Sequence, residues 1–533
     1  MTKILYNGNI YVEKDTFKKA MVIENGVIVF VGNDEDALTY ANEQSELLDL
    51  KGKTVVPGFN DCHLHFYMTA VALQSVDLFN AKSVDEVIVR GQDFLQSNPN
   101  HQGLLWGRGW NQDYFELEQR LVLKTDLDQI STEIPIVFAR ACGHVVSANS
   151  KALELANITC KTSVEGGAIE LDKHQELTGV LSENAVKLLD VLKTPMTVKD
   201  VLSKLKQVSK AANACGITSV QTNDLLIGGP DASFVEEAYR EYANDNPTVR
   251  IYHQICFTNL KTFKQRIAEG YDKSSNDFNR YGPLKLFTDG SLGARTAYMR
   301  QPYHDDQSTV GILTMSQKEI DDYVSTAQNH NVQVAIHAIG DGAIDCVLQS
   351  FEKVIDHDNE LRHGIIHCQI TDDDLLKRFA KKDIMAYLQP IFLHYDLHIV
   401  KQRVGSALAS TSYAFATMDQ LGLHVAYGTD APVEPFDVIN CIHCAVNRQD
   451  LSGYPEDGFY PNQRVSIQQA IDHYTIGSAY ASFEELKKGR LLPGYMADCV
   501  VLSKNIFEID SSEILTVNIE KTMVNGQIVF ENK

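Results

Sequence analysis

Six side chains carry the chemistry that can be read from this sequence, and they are spread over most of its length. His63 and His65 form a His-x-His pair at the end of the apolar run Val55-Val56-Pro57-Gly58-Phe59-Asn60-Asp61-Cys62. In extended backbone, alternate side chains share a face, so two imidazoles can converge on one point and supply half of a metal site. His337, His367 and Asp430 each end a further short apolar run, and Lys285 lies inside another. Imidazole and carboxylate suit a divalent metal such as zinc. A single strand-end histidine is more often a hydrogen-bonded core or loop residue. The set gains meaning because its members occupy matched positions of a repeated element.

That element is a strand followed by a helix-like segment. After the run at 55–65 come Gly216–Gln221, Val249–Gln254, Leu284–Asp289, Val332–His337, Gly364–His367, Ile384–Gln389 and His424–Asp430. Strand–helix alternation predicts a parallel sheet, and eight repeats predict an α/β fold closed as a (β/α)8 TIM barrel. A barrel brings the C-terminal ends of its strands to one face, which is how residues so far apart in sequence would meet.

Both ends of the chain read differently. Short β-rich runs with Asn-Gly turns at Asn25-Gly26 and Asn525-Gly526 predict hairpins. Neither end alone can bury a core. They are therefore expected to form one composite β-sandwich from 1–56 and 490–533, with the barrel over 57–489. About 150 residues separate the first strand from the second, far more than one helix needs. This predicts an insertion at about 75–205 that emerges on the functional face and encloses a substrate.

Composition narrows the class. Of 533 residues, 44% are hydrophobic and 22% charged, and the net charge is −22. That balance argues against nucleic acid or an anionic membrane as the main partner. No secretory leader or membrane-length apolar run is read, and the ten cysteines have no disulfide-like spacing, so a cytoplasmic setting is expected. Cys441-x-x-Cys444 reads as buried helix packing. A homodimer is the base-rate expectation.

The motifs resemble the amidohydrolase superfamily, in its Amidohydro_3 branch of YtcJ-like and N-substituted formamide deformylase-like proteins. The matching residues are Pro57 through His65, Lys285 through Ala297, His337 through Ala343, His367-Cys368, Gly428 through Val433, and Gly489 through Asp498. The resemblance implies hydrolysis of a non-peptide amide or N-acyl bond by a metal-activated hydroxide. It implies that His63, His65 and Asp430 hold one ion and that His337 and His367 hold a second. Lys285, carboxylated at its amine, would bridge them. A mononuclear site, with Lys285 paired to Asp289 or another carboxylate, is the alternative. Asp430 would be the catalytic base and acid. An esterase, lactonase or phosphotriesterase on the same scaffold, or a silent metal-binding barrel, are the other readings.

Secondary candidates for substrate binding are His144, Arg295, Trp110 and Asp289. His144 follows Gly143 and would polarise substrate or serve structure. Arg295 would bind a substrate carboxylate or pair with Asp289. Trp110 would wall the pocket or pack the insertion's own core. Asp341 would orient a histidine or cap a helix.

Overall fold

The computed structural model describes residues 2–116, 118–140, 144–192 and 197–532. Gly143 and Cys142, the first part of the Gly-His segment, lie outside the described residues. The chain divides into two compact units. One comprises Met1–Met68 with Val201–Lys533, and the other Thr69–Asp200.

The first unit contains an eight-stranded parallel sheet. Its strands are β1 (Phe59–Leu64), β2 (Ile217–Ile227), β3 (Arg250–Phe257), β4 (Arg280–Phe287), β5 (Val334–Ala338), β6 (Gly364–His367), β7 (Met385–Leu388) and β8 (Val425–Tyr427). Each pairs with the next in chain order. The ends are stitched where β8 runs into its following loop. Asp430 N donates to His63 O (2.8 Å) and His65 N donates to Ala431 O (2.7 Å). Thr429 Oγ1 donates to Asp61 Oδ2 at 2.6 Å. This is the expected TIM barrel. Gly428 sits at the seam because a Cβ there would lie 2.6 Å from Asp61 Oδ1 and 2.7 Å from His63 N. Real Cβ atoms do not approach that closely, so the strand-8 motif needs glycine at this position.

The run expected to be one strand is two. Thr54–Pro57 belongs to a different sheet from Phe59–Leu64. Thr54–Pro57 pairs antiparallel with Cys499–Leu502, Val56 facing Val500 and Val55 facing Val501. A six-stranded sheet thus interleaves both chain ends, in the order Gln527–Glu531, Ile519–Val524, Cys499–Leu502, Thr54–Pro57, Asn9–Glu13, Thr16–Lys18. A four-stranded sheet of Val27–Gly32, Ala20–Glu24, Thr2–Tyr6 and Glu46–Asp49 accompanies it. Leu5, Met21, Ile23, Val55, Cys499, Val501 and Met523 share one core, so residues from both termini complete it. Asn25-Gly26 and Asn525-Gly526 each place two successive residues at positive φ, the geometry of a tight hairpin turn.

The second unit has its own six-stranded mixed sheet, in the order Gly167–Leu171, Leu177–Glu183, Val145–Ala148, Ile136–Arg140, Leu105–Trp110, Val76–Asp77. Alternation along Ile136–Arg140 sends Ile136 and Phe138 into one core and Val137 and Ala139 into another. The Cys441 and Cys444 side chains are buried on the helix Val438–Asn447, as their apolar setting predicts. Among the described residues no helix is long and apolar enough to cross a membrane.

Two buried histidines away from the strand ends make the barrel acid-sensitive. Burial pulls His253 and His363 each down to about 4. His363 accepts from Val334 N at Nδ1 (3.0 Å) and donates from Nε2 to Gln328 Oε1 (2.7 Å), an arrangement only the neutral ring allows. The folded values lie below the unfolded value near 6.5, so stability is complete above pH 6.5 and is lost as pH falls from 6.5 toward 4. Each ring contributes about 3 kcal/mol of that loss. Urea midpoints measured across this window should fall less steeply for His253→Gln than for the wild type. Parallel curves would contradict the assignment.

Candidate metal centre

Four of the strand-end residues meet. The ligand atoms of His63, His367 and Asp430 all lie within 4.8 Å of one another. Asp430 Oδ1 stands 3.4 Å from His63 Nε2 and 3.3 Å from His65 Nε2. The His-x-His pair therefore does face one point, although the strand ends at Leu64, one residue before His65. The His63 ring centroid is 5.6 Å from those of His65 and His367.

Each of these three imidazoles is oriented by a carbonyl behind it. His63 Nδ1 donates to Gln254 Oε1 (2.6 Å), His65 Nδ1 to Asn223 O (2.8 Å), and His367 Nδ1 to Gln389 Oε1 (2.8 Å). The proton on Nδ1 leaves the Nε2 lone pair free to face the centre. The carbonyls are themselves fixed. Gln254 Nε2 donates to Cys62 O at 2.9 Å and Asn223 Nδ2 donates to Gln254 O at 2.7 Å. A bulge in β2 between Thr222 and Leu225 is what turns the Asn223 carbonyl toward His65. Burial holds His63 and His367 well below the ordinary histidine range, with nearby Lys285 adding to the effect on His63 and His337 to that on His367. Both rings are neutral ligands at neutral pH.

Gln254, Asn223 and Gln389 were not singled out from the sequence. The signal available was a glutamine closing the third and seventh apolar runs, at the level where the histidines close the others. Replacing Gln389 or Gln254 by Leu should weaken metal affinity by about 10- to 100-fold without unfolding the barrel, as other oriented histidine ligands behave. Competition with a chromophoric chelator would measure it, and unchanged affinity in both variants would remove the orienting role.

His337 is turned differently. Its Nε2 lies 3.1 Å from Gly290 O and 3.2 Å from Asp289 Oδ1, so its Nδ1 is the nitrogen left for a ligand. Its ring centroid is 4.4 Å from that of His367. Lys285 is 1% exposed, and among the described residues its Nζ has no hydrogen-bond partner. The amine lies 4.5 Å from the Phe287 ring centroid. Burial brings it down to about 8. Asp430 Oδ1 is likewise buried and receives no well-directed hydrogen bond. Buried polar atoms without partners are costly; a divalent cation would satisfy the Asp430 oxygen, and Lys285 once its amine has lost its proton or been carboxylated. The residues fit a divalent metal.

The backbone is unusual at the same place. His367, Cys368 and Asp430 have φ of 83°, 48° and 58°. Left-handed φ at non-glycine residues stores strain that the surrounding fold must hold, and such residues concentrate at functional sites.

The secondary candidates are each engaged by other partners. Trp110 has no exposed surface and donates from Nε1 to Phe138 O (3.1 Å) inside the core of the second unit. Of the two expected roles, this is the packing of the insertion's own core, not the pocket wall. Asp289 is 4% exposed and accepts from the backbone N of Tyr298, Ile339 and Gly340. It anchors the loop beside His337 and has no face left for a substrate. Arg295 pairs with Asp305 (2.8 Å), not with Asp289. His144 is exposed, with Nδ1 3.3 Å from Glu183 Oε2 in the second unit. Asp341 opens the helix Asp341–Val354 and pairs with Arg300 at 2.8 Å, so it does not touch a histidine ligand.

Residues 46–530 match the Amidohydrolase family, Amidohydro_3. The chain belongs to the amidohydrolase family. It is 32% identical to the YtcJ protein of Bacillus subtilis (strain 168), with all of both chains covered. It is 26% identical to the N-substituted formamide deformylase of Arthrobacter pascens, covering 99% of this chain and 98% of that one. The crystal structure of an uncharacterized metal-dependent hydrolase from Pyrococcus furiosus superposes with a TM-score of 0.75 at 29% identity, over 95% of this chain and all of the other. As an amidohydrolase-family member the protein is a hydrolase, and the clustered His and Asp ligands are its candidate metal centre.

Proposed function

We propose that this hydrolase cleaves a non-peptide carbon–nitrogen bond, an amide or N-acyl group, of a small molecule in the cytoplasm. The observation that carries the reading is the placement of one buried carboxylate oxygen, Asp430 Oδ1, against two imidazole Nε2 atoms whose opposite nitrogens are tied to carbonyls. His63, His65, His367 and Asp430 would hold a divalent ion, with zinc suited to these donors, and His337 with Lys285 would take part in holding a second. When bound, such an ion supplies an acidified water and polarises a carbonyl.

The protein's own residues then handle the proton. Asp430 would accept it from the attacking water and return it to the departing nitrogen. An amide needs that return, because an amine anion is a very poor leaving group. Lys285 is suited to carboxylation because burial keeps part of the amine in the free-base form that adds carbon dioxide. The resulting carbamate would turn an orphaned cation into an anionic oxygen donor.

The test is a panel of N-acyl amines, formamides, esters and lactones offered to zinc-reconstituted protein, with carbon-13 NMR on protein equilibrated with labelled bicarbonate. Amide cleavage and a carbamate resonance that disappears in Lys285→Ala are the expected results. Hydrolysis of esters alone, or of nothing, would overturn the reading.

A further inference from the structure

The barrel unit contains a cavity of about 540 Å³ that reaches Lys285. Its other walls come from one side of the barrel. They include Leu226 at the end of β2, Cys256 and Phe257 at the end of β3, Phe287 at the end of β4, and Met315 and Tyr323 from the segment that follows β4. Leu226 is 46% exposed and Phe287 40%, large apolar side chains left open at strand ends. The two acids on its wall are already engaged. Glu319 caps its own helix through Ser316, and Asp322 pairs with Lys318 at 2.6 Å. Cavities of this size with mostly apolar walls and a few polar groups at one end are the usual form of a small-molecule site.

We propose that this cavity receives the acyl-side substituent of the substrate, and that the substituent is an apolar chain or aromatic ring. The inference rests on the amide-hydrolysis reading and extends it to the substrate class. Its orientation follows from the fold. Asp430 follows β8, and the departing nitrogen must come within reach of Asp430 to be protonated. Lys285 lies on β4, across the barrel from β8, and the cavity opens among β2, β3 and β4. With the nitrogen on the β8 side, the carbon side of the carbonyl points toward the cavity. A formamide has nothing beyond its carbonyl carbon and would leave the cavity unfilled. This chain should therefore favour longer acyl groups over formyl.

The experiment compares acetohydroxamate, hexanohydroxamate and phenylacetohydroxamate binding to zinc-loaded protein by calorimetry, in wild type and in Leu226→Trp, which fills the cavity from a part-exposed position. Each methylene buried is worth about fourfold in affinity. Hexanohydroxamate should bind at least about tenfold more tightly than acetohydroxamate in the wild type. Leu226→Trp should erase that increment and leave acetohydroxamate binding and the unfolding temperature unchanged. Alongside, kcat/KM should rise with acyl length on a common amine in the wild type only. Affinity independent of chain length, or the same increment in Leu226→Trp, overturns the proposal. The two readings fail separately. If acetohydroxamate does not bind, the metal-centre reading falls and this one with it. If it binds without an increment, only the acyl-cavity proposal falls.

Discussion

Asp430→Asn is expected to lower turnover by about 10³-fold, within the range set by removing a positioned general acid–base group, while the protein keeps its fold and some of its metal. The substitution is close to isosteric, and the side-chain oxygen that faces His63 and His65 is retained. The backbone tolerates it as well. Asp430 has φ 58°, a conformation that Asn adopts more readily than almost any other non-glycine residue. What the amide cannot do is take a proton near neutral pH and give it back. The loss should therefore appear in kcat, with metal content measured on the same sample. A metal-loaded variant that turned over at the wild-type rate would remove Asp430 from the chemistry.

His63→Ala has the second large effect and acts through the metal itself. It deletes a ligand that is 1% exposed, opens a hole in the barrel, and leaves Gln254 Oε1 without its donor. Metal affinity should fall by on the order of 100-fold or more and turnover should fall to background. His337→Ala should cost less metal, because His337 stands outside the tight cluster of ligand atoms and its Nε2 is already engaged by Gly290 O. Chelation of the wild type should mimic His63→Ala. It should abolish turnover, restore it on addition of zinc, and lower the unfolding temperature, since an ion held at 100 times its Kd contributes about 2.7 kcal/mol. Equal metal content in His63→Ala and wild type would contradict the ligand assignment.

The strand ends were legible because they rest on a local rule. An apolar run of four to eight residues ending in a histidine or aspartate reads the same wherever its neighbours lie, and the eight runs gave the barrel and the convergence of His63, His65, His367 and Asp430. The composite sandwich was legible for a different reason: both ends read as β-hairpins, and neither alone can bury a core. The break at Gly58 was not. Val55-Val56 and Phe59 are equally apolar, and only their partners, Val500-Val501 in one sheet and β2 in the other, separate them. Partners explain the other misses too. Arg295 had two acids within reach of its sequence neighbourhood, and Asp305 took it because Asp289 was occupied by backbone amides. Trp110 was ambiguous because an aromatic side chain serves a core and a pocket wall equally well. The amides behind the histidines are long-range contacts: Gln254 lies 191 residues from His63. The glutamine that closes its run is visible locally, but nothing local names the histidine it holds.

The most direct test is a crystal structure of the protein purified with zinc, using anomalous scattering at the metal edge together with metal content per chain. An ion bonded to Nε2 of His63, His65 and His367 and to the Asp430 carboxylate is the expected result, with any second ion between Nδ1 of His337 and a carbamate oxygen on Lys285. An ion bound elsewhere, or full turnover by protein shown to be metal-free, would contradict it.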